Sequence, residues 1–466
     1  MNQFMMGMLA IAATAFTSCS NEDGLGNDRT SRESVENFYM KLQITGNDAS
    51  TRSVNDNPTD GTKEESTIKS GTIWLVAPDG SVAFAKTFDA IEWAGAWNGE
   101  TNTGRTKTIK VAVTQVHEKT KYKVYFLANK TTDFKLMVNP TLQEFTSSTG
   151  GADFAKDNAF VMFNQNDKDV KADQYIVEFK PENKNEDTPA SPDNAIKLDR
   201  LTARIDKPES TSTINKDAKK NDKTVNIESI TAVNFLGFAT SNMANETNIE
   251  QKWETTKWET LLLPTITYYW DKDSYGTPQL AKNLERFSDK KQYLFEQTTT
   301  NGDNATSIYL QYEAILAETA NKDFTDGTFY RYDKHIFTSI EDIIKFAGFA
   351  NPFGKDAADV VKEIKDADDA TTVTTDPNKL AAFRTAYNIE VFAQGKVYYK
   401  YIIVDKHHTD YTILRNSIYR IDVKNIYDLG CDTPNGEDEE VKPNYYLDVE
   451  VSVNPWVLNN LNIDLK

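Results

Sequence analysis

Tyr445–Lys466 reads YYLDVEVSVNPWVLNNLNIDLK, and the spacing of its apolar residues decides the fold class. Tyr445, Leu447, Val449, Val451 and Val453 alternate with polar neighbours, the period-2 pattern of a strand buried on one face. Asn454-Pro455 is expected to end that ladder, because proline has no N–H to donate. Beyond Trp456 a second short alternation follows in Leu461, Ile463 and Leu465. An apolar strand here needs a sheet to cover it, either the chain's own or that of another molecule. The functional reading turns on that choice.

The same signature recurs outward from this stretch. Toward the N-terminus, strands are expected at Tyr419–Val423, Lys396–Val404, Ile389–Phe392, Ile308–Ile315, Leu261–Trp270, Val225–Phe238, Leu201–Ile205 and Ile196–Leu198. Helical signals are confined to an insertion: Ser339–Ala347 behind a Thr338 cap, Lys355–Lys365, and Asp376-Pro377 to Tyr387 with proline at the first helical position. In the first half, Tyr175–Phe179, Phe160–Phe163, Tyr122–Asn129 and Thr108–Val116 read as strands. Ile73–Val76 and Val82–Phe84 flank Pro78-Asp79-Gly80, a hairpin signal. Phe38, Met40, Leu42 and Ile44 make one further clear alternation. Many short strands, few helices and polar turns point to an all-β sandwich. Pro181–Asp193 is rich in proline and charge and marks the expected domain boundary, with Ile196–Leu198 opening the second domain. Gly430–Pro443 reads as an acidic linker that frees the terminal strands.

At 466 residues the chain calls for two domains. Its 70 acidic against 52 basic residues give a formal net charge of −18, which disfavours nucleic acid and anionic membrane surfaces as partners. An aromatic content of 11% argues for folded cores rather than acidic disorder. Two cysteines, Cys19 and Cys431, support no disulfide framework. The sequence carries no GxSxG, glycine-rich phosphate cradle or HExxH, so neither an enzyme nor a cofactor is expected. Asp271–Gly276 starts like a calcium loop, but its twelfth position is Lys282, which cannot ligate calcium. His407-His408 is too small a ligand set for a metal site. Trp253 and Trp258 read as core residues before they read as a glycan platform.

The apolar run Met5–Phe16 has the length of a signal-peptide core and is too short to span a bilayer. It leads into Phe16-Thr17-Ser18-Cys19, where small residues precede a cysteine as in the bacterial lipobox. Ser20-Asn21-Glu22-Asp23 is similar to the export tag of Bacteroidetes surface lipoproteins. Cys19 is therefore the expected lipid anchor to the outer membrane. Gly24–Ser34 reads as a flexible tether, and the polar stretch after Ile44 contains Arg52-Ser53, a natural site for a trypsin-like protease.

Three segments together resemble the fimbrilins of Bacteroidales, nearest to the structural subunits of the short (minor) fimbriae of Porphyromonas-type bacteria. They are Gly395–Tyr399 with Leu414–Ile426; Leu447–Trp456 running out to Leu465; and the lipobox cysteine followed by one apolar strand and Arg52. Leu201-Thr202-Ala203-Arg204 fits the opening of that family's C-terminal domain. The resemblance implies two transthyretin-like Greek-key β-sandwich domains, with a few short helices inserted in the second. It implies a signal peptide over residues 1–18, a lipidated propeptide with a removable strand over 19–52, sandwiches over 53–188 and 189–443, and C-terminal strands over 444–466. It further implies cleavage between Arg52 and Ser53 by an Arg-specific protease. The strand of Phe38, Met40, Leu42 and Ile44 then leaves, and Val457, Leu458, Leu461, Ile463 and Leu465 of a neighbour take its place. The implied partners are further copies of the chain in a homopolymer, anchor and tip subunits, and host or bacterial surface receptors bound in adhesion and biofilm formation. The competing expectations are a monomeric surface lipoprotein that binds glycan or host protein, and an accessory anchor or tip subunit.

Overall fold

The computed structural model describes residues 37–46, 59–60, 62–95, 106–130, 136–147, 150–167, 171–216, 224–254, 257–263, 268–269, 287–374, 376–405, 408, 410–434 and 447–457. Strands dominate them, as the alternation predicts. The principal elements begin with β1 (Phe38–Gly46), β2 (Thr59–Asp60), α1 (Lys63–Ser66), β3 (Gly71–Val76), β4 (Val82–Phe88), β5 (Thr106–Val113) and β6 (Lys121–Ala128). Next come β7 (Met162–Asn164), β8 (Ile176–Glu178), β9 (Ile196–Arg200), β10 (Thr202–Ile205), β11 (Glu209–Ser210) and β12 (Ile230–Ser241). β13 (Gln292–Phe295) and β14 (Ser307–Leu316) precede the helices α2 (Ile340–Ala347), α3 (Ala357–Ile364) and α4 (Pro377–Tyr387). The chain closes with β15 (Lys396–Ile402), β16 (Ser417–Ile426) and β17 (Leu447–Val457).

The first sheet runs β4-β3-β6-β7-β9-β1-β5, with β8 also paired to β6. Its middle is covered on both faces. Ile73, Leu75, Val124 and Phe126 enter the core that holds the β1 side chains. Trp74, Val76, Tyr125 and Leu127 enter a second core with Phe163 and Phe295. Burial on both sides explains why β3 and β6 read as nearly unbroken apolar runs instead of alternating.

The second sheet runs β13-β10-β16-β17-β2, with β11 also on β16, and β12-β14-β15 form a third. Ala203, Ile205, Tyr419 and Ile421 share one core with Leu310, Tyr312, Val397 and Tyr399. The two sheets therefore pack face to face as a sandwich. The helices form a satellite in which Ile343, Val360, Ile364 and Phe383 pack with Tyr330 and Val391. Ser339, one residue past the expected Thr338, caps α2 by accepting from the Asp342 N–H. Asp376 caps α4, with Pro377 at its first turn.

Three local expectations are corrected. β17 does not stop at Asn454-Pro455: Asn454 pairs with Ile418 and Pro455 with Ser417. A strand can carry a proline where that residue's N–H is not needed by the ladder. β9, read as the opening of the second domain, is bonded to β1 and β7 in the first sheet. The acidic stretch is fastened at its start, where Cys431 and Tyr398 exchange backbone hydrogen bonds of 2.9 and 2.8 Å.

Candidate assembly site

β1 occupies the site on which the functional reading depends. Phe38, Met40, Leu42 and Ile44 are all at most 4% exposed, while Gln43 between them faces solvent. One edge of β1 runs antiparallel to β5, from Phe38 opposite Val113 to Thr45 opposite Thr106. This places Phe38, Met40 and Leu42 across from Val113, Val111 and Ile109 on the same buried face, the contact that stabilises a strand pair. The other edge runs parallel to β9 at Ile44–Gly46. Nearer its start it is closed by Ala190, which donates to Tyr39 O at 2.9 Å and accepts from Lys41 N at 2.7 Å. The Phe38 ring meets the edge of Phe179 at 5.4 Å, and Lys184 Nζ lies 5.4 Å above it.

Burying four such side chains is worth about 6–12 kcal/mol. A whole domain is commonly stable by only about 5–15 kcal/mol. Among the described residues β5 has no ladder partner in this sheet except β1. Loss of β1 would thus strip β5 as well. The groove is stable only when some strand fills it.

β17 is held differently. Its inner edge is antiparallel to β16 along its length, from Leu447 opposite Ile426 to Pro455 opposite Ser417, with a bulge between Val423 and Asn425. Among the described residues its outer edge carries only β2, with Thr59 opposite Trp456 and Asp60 opposite Val457. Val457 is the last residue of this strand. Cys19, Arg52, Ser53, Leu458, Leu461, Ile463 and Leu465 lie outside the described residues.

Between the first and second sheets lies a buried ionic junction that pattern reading does not find. Glu65 of α1 is fully buried and accepts twice from Arg204 Nη1, at 2.9 and 2.8 Å. The Tyr293 hydroxyl donates to Oε1 at 3.0 Å, the Thr62 N–H donates to Oε2 at 2.9 Å, and Lys291 adds a further ion pair. Burial pushes this carboxyl up. The Lys291 hydrogen bond and the Arg204 charge outweigh it, and the net pKa falls to about 2. Arg200, also fully buried, donates to Glu65 O at 3.0 Å and to Asn416 Oδ1 at 3.1 Å. Burial lowers its pKa to about 9 against the pull of Glu65.

Arg415 extends the junction. It donates to Ile249 O at 2.8 Å, Asn248 O at 2.7 Å and Glu296 Oε1 at 2.5 Å, and both charged residues are at most 2% exposed. The chain turns into β16 through Asn416, whose φ of 56° is left-handed, a conformation asparagine tolerates better than most residues. One local signal for the Glu65 end was present: Thr62-x-x-Glu65 is a capping box, and the structure forms it. The burial of that glutamate has no local signature.

Chemistry is sparse elsewhere. Among the described residues no three His, Cys, Asp or Glu side chains come together to hold a metal, and no helix is long and apolar enough to cross a membrane. A cleft of about 510 Å³ is lined by Tyr125, Lys123, Asp173 and Glu250. Burial first, and then the Asp173 charge, pushes Glu250 up to about 7. The Trp253 indole is half-buried and donates to Asn166 O at 2.7 Å, tied to the protein instead of forming an open platform.

Residues 390–462, from the strand Glu390–Phe392 through β17, match the family model described as major fimbrial subunit protein type IV, fimbrillin, C-terminal. Over this region the chain is similar to the C-terminal part of the fimbrillins. The matched segment contains Arg415, Asn416 and the whole β16–β17 pair, so the fimbrillin signature coincides with one side of the ionic junction. Solved structures similar to this chain include two candidate cell adhesion proteins of Parabacteroides distasonis. One is 12% identical with a TM-score of 0.43, covering 90% of this chain and 96% of that one. The other is 11% identical with a TM-score of 0.46, covering 91% and 99%. A fimbrial assembly protein of the same organism is 11% identical with a TM-score of 0.37, covering 90% and 99%. No curated protein matches the chain.

Proposed function

We propose that this chain is a shaft subunit of a surface fimbria and has no enzymatic role. It is exported as a lipoprotein anchored through Cys19 to the outer membrane and cut between Arg52 and Ser53 by an Arg-specific protease. It then polymerises by strand exchange and serves adhesion and biofilm formation. The observation that carries this reading is β1. It is apolar on its buried face, bonded along both edges, and followed in sequence by the arginine six residues after Gly46. A cut there removes the covalent tie that returns β1 to its groove, and a vacant groove with open backbone edges recruits another strand.

The incoming strand is assigned to residues 458–466 of a neighbour, where Leu458, Leu461, Ile463 and Leu465 supply apolar side chains. Val457, at the junction between retained and donated chain, pairs with Asp60. Donor and groove lie at different sites on one molecule, so the contact is heterologous and propagates. Anchor and tip subunits end the polymer, and receptors on host or bacterial surfaces are its targets.

Deleting Leu458–Lys466 should abolish polymers while leaving folded monomers; assembly by that truncation would refute the donor assignment. Arg52→Ala should accumulate a lipid-tethered precursor, and normal fibres from it would remove Arg52 from the mechanism. One observation favours a second reading: β17 stays paired to β16 within its own chain, as a monomeric surface lipoprotein that binds glycan or host protein would require. Electron microscopy of cells, with SDS-resistant ladders on unheated gels, separates the two.

A further inference from the structure

The segment beyond the proposed cut is fastened independently of β1. Among the described residues β1 bonds only to the first sheet and to Ala190, through β5, β9 and that bridge. Thr59–Ser66, by contrast, engages the second. β2 pairs with β17, and Glu65 is gripped by Arg204 of β10 and Tyr293 of β13. Arg200 at the end of β9 holds the Glu65 carbonyl and, at 3.3 Å, the Ser66 hydroxyl. Residues just downstream are tied to the first sheet instead: Asn129 Nδ2 donates to Thr67 O at 2.8 Å, and Ile68 is buried in the core that also holds the β1 side chains. Residues 47–58 therefore join two pieces that each have their own attachment.

We propose that Glu65 is a positioning residue that keeps residues 62–66 seated on the second sheet after the chain upstream is cut, so that β1 alone is released. The inference rests on the cleavage reading and concerns what cleavage leaves behind. In the uncut chain this segment is covalently continuous with β1. Once cut, the segment is a free end, and free ends fray unless tied down. Fraying here would run toward β3, which begins at Gly71 between β4 and β6. A carboxylate that collects Arg204, Lys291, Tyr293 and its own Thr62 N–H stops it before that strand.

The test is hydrogen–deuterium exchange on the full chain, before and after an Arg-specific protease cuts it. In the wild type, amides of 62–66 should keep their protection after the cut while those of 38–46 exchange faster. In Glu65→Gln, exchange at 62–66 should rise before the cut and rise at least about tenfold further after it. Glu65→Asp, which keeps the charge, should restore part of the protection. Equal protection of wild type and Glu65→Gln after cutting overturns the proposal. So does a loss of the same size before and after cutting, which would make the role of Glu65 indifferent to the cut. If the protease does not cut after Arg52, an engineered protease site between Asn55 and Asp56 provides the nick. The cleavage reading then fails while the Glu65 proposal is still decided by the same exchange rates.

Discussion

β1 and β17 are both long strands with alternating sequences, but they differ in how many edges they fill. β1 is bonded on both sides and closes a core, and β5 depends on it. Among the described residues β17 leans on β16 along one side and meets only two residues of β2 on the other. A strand of the first kind cannot depart without a substitute. A strand of the second kind can hold its place while the chain beyond it goes elsewhere. Sequence alternation is the same in both, so position in the sheet carries the distinction.

The largest effect is expected from charging β1. Leu42→Asp buries an unpaired carboxylate in the first core and should cost at least about 4 kcal/mol in urea unfolding, whereas Gln43→Asp on the exposed face should stay within about 0.5 kcal/mol. If Leu42→Asp unfolds like the wild type, β1 does not seal the groove. Arg415→Ala tests the support beneath the β16–β17 pair. It leaves Glu296 buried without its partner, and breaking such a pair costs about 3–5 kcal/mol.

Acid titration sharpens the link between β2 and the body. Glu65 drops from its usual 4.5 to about 2 on folding. Its contribution, on the order of 3 kcal/mol, is therefore complete above pH 4.5 and lost as pH falls through that value toward 2. Glu65→Gln should flatten the stability curve in that window. Glu250 has the opposite sign: its folded pKa of about 7 lies above the usual 4.5, so its ionisation weakens the fold as pH rises between those values. Glu250→Gln should raise stability at pH 8 by about 2 kcal/mol and leave pH 4 unchanged. Ser339→Ala is the smallest change, about 1 kcal/mol for a lost helix cap. It lies in the helical satellite and should leave fibre formation intact.

Much of the fold was legible because burial writes itself into period-2 spacing. Phe38, Met40, Leu42 and Ile44 announced their face, as did Ile308 and Leu310. Helix ends were legible from Asp376-Pro377 and, within one residue, from Ser339. Pairing partners were not, since alternation says nothing of neighbours. β9 reads in sequence as the first strand of the second domain, yet its ladder bonds go to β1 and β7 of the first sheet. The ionic junction was hidden for a different reason. Arg200, Arg204, Arg415 and Glu65 are residue types that usually face water. Their burial comes from contacts across more than a hundred positions of sequence, as between Glu65 and Arg204.

A single residue, Leu201, separates β9 in the groove sheet from β10 in the sheet that carries β17. β10 runs parallel to β16, to which β17 is bonded. In a fibre joined as proposed, tension entering at the filled groove reaches the outgoing strand through this nearly continuous line of backbone, with no long loop to stretch. Ladders pulled along the strand axis share the load among many hydrogen bonds at once. The subunit thus has the makings of a stiff link, whose resistance to shear on a flowing surface is set by the short passage through Leu201 and not by the helices beside it.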